Sequence, residues 1–189
     1  YLKQLNITDQ NGHVYKSAQD KYKQINHYIE ILSTLLKELP NHEVIQVVDM
    51  GCGKGYLTFA IYDYLNHILK RPSRVVGVEL RKDLVDLCNQ IAHDSAYTGL
   101  QFKQGSIEAF DIPEINVLIA LHACDTATDD AIAKGIKAHA DLIVVAPCCH
   151  KQIRKEINKN NVSNDLDFLL KHGIFLEREA EMVTDGIRA

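Results

Sequence analysis

Val47-Val48-Asp49-Met50-Gly51-Cys52-Gly53-Lys54-Gly55-Tyr56-Leu57-Thr58-Phe59-Ala60-Ile61 is the stretch whose reading decides the fold. Val44, Ile45, Val47 and Val48 form a near-continuous apolar run, as expected of a parallel strand covered on both faces. The strand ends in an acid, Asp49, and runs into Gly51, Gly53 and Gly55, which let the backbone turn sharply and approach a ligand closely. A helix opens at Tyr56. Strand, glycine turn and helix in that order describe a nucleotide-cofactor loop, and the spacing chooses among cofactors. The dinucleotide fingerprint G-x-G-x-x-G needs glycine at position 56, where this chain has Tyr56, so the NAD or FAD reading lacks its third glycine. What stands is D-x-G-x-G-x-G from Asp49 to Gly55.

The next strand, Arg74 to Leu80, carries Glu79, 24 residues beyond Gly55. An acid at the tip of a second strand can accept both hydroxyls of a ribose. These two features in order resemble class I S-adenosylmethionine (SAM) methyltransferases. The resemblance implies that Gly51, Gly53 and Gly55 pass close to the methionine part of SAM, that Asp49 holds its ammonium directly or through water, and that Glu79 holds the ribose. In that family the turn after the third strand usually carries an acid facing the adenine amino group; here the turn is Gly105-Ser106-Ile107-Glu108, and the matching residue is Ser106. The Ser106 hydroxyl and the Ile107 backbone are then expected at the adenine. Cys52, Leu80 and Leu121 complete the expected cofactor cradle. The competing reading of each glycine turn is an ordinary tight turn with no ligand.

At 189 residues with 46% hydrophobic content, the chain can bury a proper core, and one domain is expected. We divide it into an N-terminal helical extension or lid, residues 1–40, and a SAM-binding domain, residues 41–189. A net charge of −4 leaves no global basic surface for holding nucleic acid nonspecifically. No apolar run has the length of a membrane span and no signal-peptide pattern is present, so no membrane partner is expected. Five cysteines are an odd number, and those at strand ends or turns on the cofactor side argue for reduced thiols and a cytoplasmic protein. No obligate protein partner is evident.

Strands and helices alternate along the chain, the pattern of a Rossmann-like, doubly wound parallel sheet of α/β class. Strands are predicted at 44–50, 74–79, 100–103, 115–121 and 141–147. Helices are predicted near 56–70, 82–94, 126–138 and 164–172. Leu57, Ile61, Leu65 and Ile68 mark the buried stripe of the first. A further amphipathic helix covers 18–39, with Tyr22, Ile25, Ile29, Leu32, Leu36 and Leu39 on one face and Pro40 ending it. Its polar face is either solvated or reaches over the cofactor mouth through Lys23, Gln24 or Asn26. Ile174 to Glu177 reads as the start of a sixth strand. The resemblance implies a closing antiparallel hairpin, which would lie beyond Ala189, so the sheet is expected to be truncated at its C-terminal edge.

In doubly wound sheets the ligand lies at the carboxyl ends of the strands where strand order reverses. Two segments end there: Ala120-Leu121-His122-Ala123-Cys124-Asp125 and Ala146-Pro147-Cys148-Cys149-His150. His122, Cys148, Cys149 and His150 are the candidate catalytic residues. A neutral imidazole can take a proton from an attacking hydroxyl or amine. Cys148 or Cys149 could instead be a nucleophile toward a pyrimidine carbon. His122, Cys124, Cys148 and His150 are zinc-ligand types, but His-x-Cys and Cys-Cys-His are not the usual spacings, and no metal is assigned. Small polar residues capping buried strands are the bland alternative.

Together, DMGCGKGYL, VGVEL, LHACDTATDDAI and APCCHKQ resemble a branch of class I methyltransferases that includes eukaryotic methyltransferase-like proteins and is similar to acceptor-stem tRNA ribose methyltransferases. The resemblance implies an RNA acceptor, with a small metabolite or a protein as alternatives. Lys151, Arg154, Lys155 and Lys159 against Glu156 give a local net +3, either a phosphate contact or a solvated helix face. The fourth strand lacks the N-P-P-Y type of tetrapeptide that serves exocyclic base amines. A SAM-binding regulator or scaffold without turnover is the alternative of a different class, and a dinucleotide oxidoreductase is a more distant one.

Overall fold

The computed structural model describes residues 1–112, 114–121, 123, 126–146, 150–159 and 172–188. Five parallel strands, β1 (Ile45–Met50), β2 (Ser73–Glu79), β3 (Leu100–Gln104), β4 (Val117–Ala120) and β5 (Leu142–Val145), form one sheet in the order β3-β2-β1-β4-β5. Among the described residues, six α-helices accompany them: α1 (Gln19–Glu38), α2 (Tyr56–Asp63), α3 (Lys82–Asp94), α4 (Thr126–Lys137), α5 (Lys151–Lys159) and α6 (Gly173–Arg188). The chain winds outward from β1 to β3, crosses back, and winds outward again through β4 and β5. β1 and β4 therefore flank the point where strand order reverses.

Strand side chains alternate between two layers, as a pleated backbone requires. Val47, Val75, Val117 and Ile119 pack with α1, α2 and α3 through Leu36, Phe59, Ile61, Leu65 and Cys88. Val48, Met50, Val78, Leu118 and Ala120 pack on the other face with Ala131 of α4. Both faces of β1 are thus covered, which is why its sequence is apolar at successive positions rather than alternately. Leu5 and Ile7, ahead of α1, are buried in the same layer as α1.

α1 buries Ile25, Leu32 and Leu36. It stops at Leu39, whose extended backbone (φ −55°, ψ 141°) suits a residue preceding proline. The Arg71 guanidinium satisfies the freed carbonyls, donating to Leu36 O at 3.1 Å and Leu39 O at 3.3 Å. α2 passes into a π-helical turn, Tyr64–Ile68, in which Leu69 N–H donates to Tyr64 O. The wider turn breaks the expected stripe. Ile61 and Leu65 are fully buried, whereas Ile68 is 64% exposed.

The other correction lies at the C-terminal side. Ile174 to Glu177 do not start a strand; they belong to α6, where Leu176 and Ala180 are buried four residues apart. Of the helix expected near 164–172, all but His172 falls outside the described residues. Among the described residues, no helix is long and apolar enough to cross a membrane.

Candidate functional site

Two cavities meet at the carboxyl ends of β1, β2 and β4, and Gly51 lines both. The larger is a groove of about 650 Å3 between the tips of β2 and β3 and the start of α4. That volume lies within the range of about 300–1,000 Å3 usual for small-molecule sites. Gly51, Gly53, Glu79, Leu80, Gly105, Ser106 and Ile107 line it, joined by Arg81, Glu108, Thr126, Ala127 and Asp130. The smaller is a cleft of about 50 Å3 enclosed by Asp49, Gly51 and Cys52, Tyr56 and Leu57 of α2, Leu121, and Lys21, Gln24 and Tyr28 of α1.

The glycine turn is built by three left-handed residues, with φ of 71° at Gly51, 57° at Gly53 and 69° at Gly55. Their side-chain vectors divide the work. No protein atom lies within 4 Å of where a Cβ would stand on Gly51 or Gly53, whereas one on Gly55 would sit 2.8 Å from the Phe102 ring. The first two glycines therefore open the loop toward a ligand, and the third packs the loop on the core. Gly51 N–H and Cys52 N–H both donate to Val78 O, which clips the turn to β2.

Glu79 completes that clip. Its Oε2 accepts from Gly53 N–H at 2.9 Å, and its Oε1 accepts from Arg81 N–H and from Arg81 Nε at 3.1 and 3.0 Å. Burial pushes this carboxyl up, but the bonds from Arg81 and Gly53 outweigh it and hold the group below the usual carboxylate range. Three bonds leave acceptor capacity on a carboxylate that has about four lone-pair directions. Glu79 is a charged, held acid on the groove wall.

Asp49 is the opposite case. It lies beside Gly77 of β2 and Ile119 of β4 in the sheet register, with little surface in contact with water. Burial pushes its carboxyl up, the bond from Thr58 Oγ1 to its Oδ2, at 2.6 Å, opposes that, and burial prevails, leaving the group raised to about 7. A cation in the cleft would recharge it. Burial likewise raises the Cys52 thiol far above its ordinary range, so Cys52 is a wall and not a nucleophile.

At the base end of the groove, Ser106 Oγ accepts from Ala109 N–H at 3.1 Å, which leaves its hydroxyl proton free to donate. Ile107 packs against the layer under α4 while lining the groove. On α1, the side chains at the cleft are Lys21, Gln24 and Tyr28, one stripe at three- and four-residue spacing. Lys21 Nζ donates to Gln24 Oε1 at 2.6 Å and stands 5.4 Å from the centre of the Tyr56 ring. Of the expected lid residues, Gln24 is at the mouth; Lys23 is exposed and Asn26 donates back to Tyr22 O.

The structure thus brings Asp49, Gly51, Cys52 and Leu121 to one cavity and Gly51, Gly53, Glu79, Leu80, Ser106 and Ile107 to the other. Gly55 lines neither. His122, Cys124, Cys148 and Cys149 lie outside the described residues. His150 is buried just ahead of α5, and its Nδ1 has no hydrogen-bond partner. Of the basic run that follows, Arg154 is tied to Glu177 of α6. Among the described residues no group of three histidine, cysteine or acidic side chains could hold a metal ion. Thr58, Arg81, Lys21, Tyr28 and Tyr56 escaped the sequence reading. Only Thr58 left a signal there, as a polar residue inside the apolar run Leu57 to Ile61.

Residues 20–156 match a family model described as a methyltransferase domain. The chain belongs to that family. No curated protein matches it in sequence. Among solved structures, the methyltransferase domain is similar to magnesium protoporphyrin IX methyltransferase from Synechocystis PCC 6803 with bound SAH. That match has 19% identity and a TM-score of 0.50, over 81% of this chain and 70% of the other. It is also similar to a dimethyladenosine transferase from Plasmodium falciparum, at 17% identity and a TM-score of 0.48 over 66% and 43% of the two chains. The CMeT domain of the citrinin polyketide synthase matches at 22% identity and a TM-score of 0.48, over 59% of this chain and 31% of the other. Against several such structures the domain spans only 29–38% of the other chain's length. At these identities the likeness shows the fold, a class I methyltransferase sheet.

Proposed function

We propose that this domain binds SAM across the two cavities and transfers its methyl group to an acceptor, with RNA as the acceptor class. The observation that carries the reading is the pair of carboxylates, Asp49 and Glu79, one in each of two cavities joined at Gly51. A ligand with a cationic amino-acid end and a ribose fits that separation of roles. The residues present suit it: open space over Gly51 and Gly53, a charged acid for hydroxyls, and a buried acid lining the smaller cleft.

SAM supplies an electrophilic methyl group on a sulfonium, displaced in line by the acceptor. The chain's part is to bind, align and keep water out. Glu79 accepts from the ribose hydroxyls while Arg81 and Gly53 hold it in place. Ser106 and Ile107 border the base, with Leu80 over the groove edge. Asp49 takes the ammonium, with Cys52 and Leu121 as cleft walls. Residues 1–40 act as a lid on residues 41–189 through Lys21, Gln24 and Tyr28. His122, Cys148, Cys149 and His150 remain the proposed acceptor-handling residues. The partnerless, buried Nδ1 of His150 supports an imidazole kept for a ligand or a proton. The exposure of Lys155 in the basic run at 151–159 supports RNA, whose phosphates that ammonium would meet.

Calorimetric titration with SAM and with S-adenosylhomocysteine tests the reading. Micromolar binding that Glu79→Ala weakens tenfold or more, about 1.4 kcal/mol, is the expected result. A folded protein that binds neither ligand would sink it.

A further inference from the structure

Asp49 can recognise an ammonium only if one carboxylate oxygen is free, correctly aimed and charged. Its neighbours in the sheet offer no polar side chain, since Gly77 and Ile119 flank it in register. The hydrogen bond it receives among the described residues comes from Thr58, from Oγ1 to Oδ2 at 2.6 Å. Thr58 is fully buried in the first turn of α2. A threonine inside a helix usually bonds back to the carbonyl four residues earlier. This one bonds sideways into the cleft wall instead.

We propose that Thr58 is the positioning residue for amine recognition: its hydroxyl holds Oδ2 of Asp49 so that Oδ1 is presented to the ammonium of the ligand's amino-acid end. The inference rests on the SAM reading of the site. It assigns to Thr58 the choice between ligands with an amino-acid end and plain nucleosides. It also makes that choice depend on pH, because a protonated Asp49 loses its attraction for a cation.

Burial sets that dependence, and the Thr58 hydroxyl moves it toward lower pH. Cys52, on the loop, lies within reach of Thr58 and stays a neutral thiol. Asp49 itself, Cys88 of α3 and Glu79 of β2 add to burial in pushing the Cys52 thiol up. Tyr56 of α2 and Tyr28 of α1 line the cleft, and the Lys21 ammonium, also from α1, is bonded to Gln24 and set over Tyr56. With Asp49 titrating at about 7 before ligand arrives, affinity for an ammonium is full above that pH. It falls by up to about tenfold per pH unit below it. Removing the Thr58 donor raises the carboxyl further, so the fall begins at higher pH.

The test compares S-adenosylhomocysteine with 5′-methylthioadenosine, which lacks the ammonium, by calorimetry from pH 6 to 8.5 on wild type, Thr58→Val and Thr58→Ser. In the wild type, homocysteine-ligand affinity should climb about tenfold over the range while methylthioadenosine affinity stays flat. Thr58→Val should lose about tenfold for the first ligand at pH 7, move its pH midpoint upward, and bind the second within about twofold. Thr58→Ser, which keeps the hydroxyl, should behave as wild type. Equal weakening of both ligands by Thr58→Val, or an unmoved pH profile, would overturn the proposal. A wild type that binds neither ligand would instead remove the SAM reading beneath it.

Discussion

Gly53 and Gly55 look alike in the sequence and differ in the structure. Both need positive φ, so alanine at either is strained by about 1–2 kcal/mol. Gly55→Ala adds a clash with Phe102 and should lower stability by more than that, read by chemical denaturation. Gly53→Ala has open space, so it should cost stability only the backbone strain and show its larger effect on cofactor affinity. The buried acid gives a second residue-scale prediction. Asp49 titrates near 4 when unfolded and at about 7 when folded. Between those values the folded chain keeps a proton that the unfolded chain has released. Its stability contribution is therefore fully present below about pH 4 and lost as pH rises through about 7, by a few kcal/mol at most. Asp49→Asn should be the more stable protein at pH 8, match wild type at pH 4, and bind SAM poorly. That these residues form a glycine-rich turn between β1 and α2 was legible because spacing survives in sequence. The state of charge was not, since Asp49 and Glu79 are both strand-end acids. The bonds from Arg81 and Gly53 to one, and burial of the other, arise only when β1 and β2 pair.

At the level of single elements, sequence periodicity served well where helices are regular. It placed α1 and α3 within a residue or two and all five strands close to their observed ends. It failed at the π turn, because a 3.6-residue period cannot anticipate one widened turn. Leu65→Ala should therefore cost about 2–5 kcal/mol, while Ile68→Ser should stay within about 0.5 kcal/mol, as thermal unfolding would show. It failed again at Ile174 to Glu177, where four residues of mixed character read equally as strand or helix. The packing of α6 on α5, with Arg154 paired to Glu177, decides the matter for helix. Arg71 matters to α1 in a way no helix rule foresees, since it caps that helix from the loop before β2. Arg71→Ala should lower the melting temperature, and Lys in its place should restore little, because one ammonium lacks the planar fork that meets several carbonyls.

For the molecule as a whole, alternation of strands and helices carried the doubly wound architecture, and the order β3-β2-β1-β4-β5 follows from where the chain crosses back. Less visible was how far the N-terminal residues share the core. Ile7 is 2% exposed within the layer that holds α1, α2 and α3. Ile7→Ala should lower the stability of the whole chain by about 2–4 kcal/mol while leaving one cooperative transition. A separate early transition would show instead that the first 40 residues unfold on their own. The clip from Glu79 to Gly53 has a consequence in time as well as in shape. Because β2 already braces the glycine turn before any ligand arrives, association does not wait for that turn to order itself. Arrival rates should track ligand concentration linearly in stopped-flow mixing.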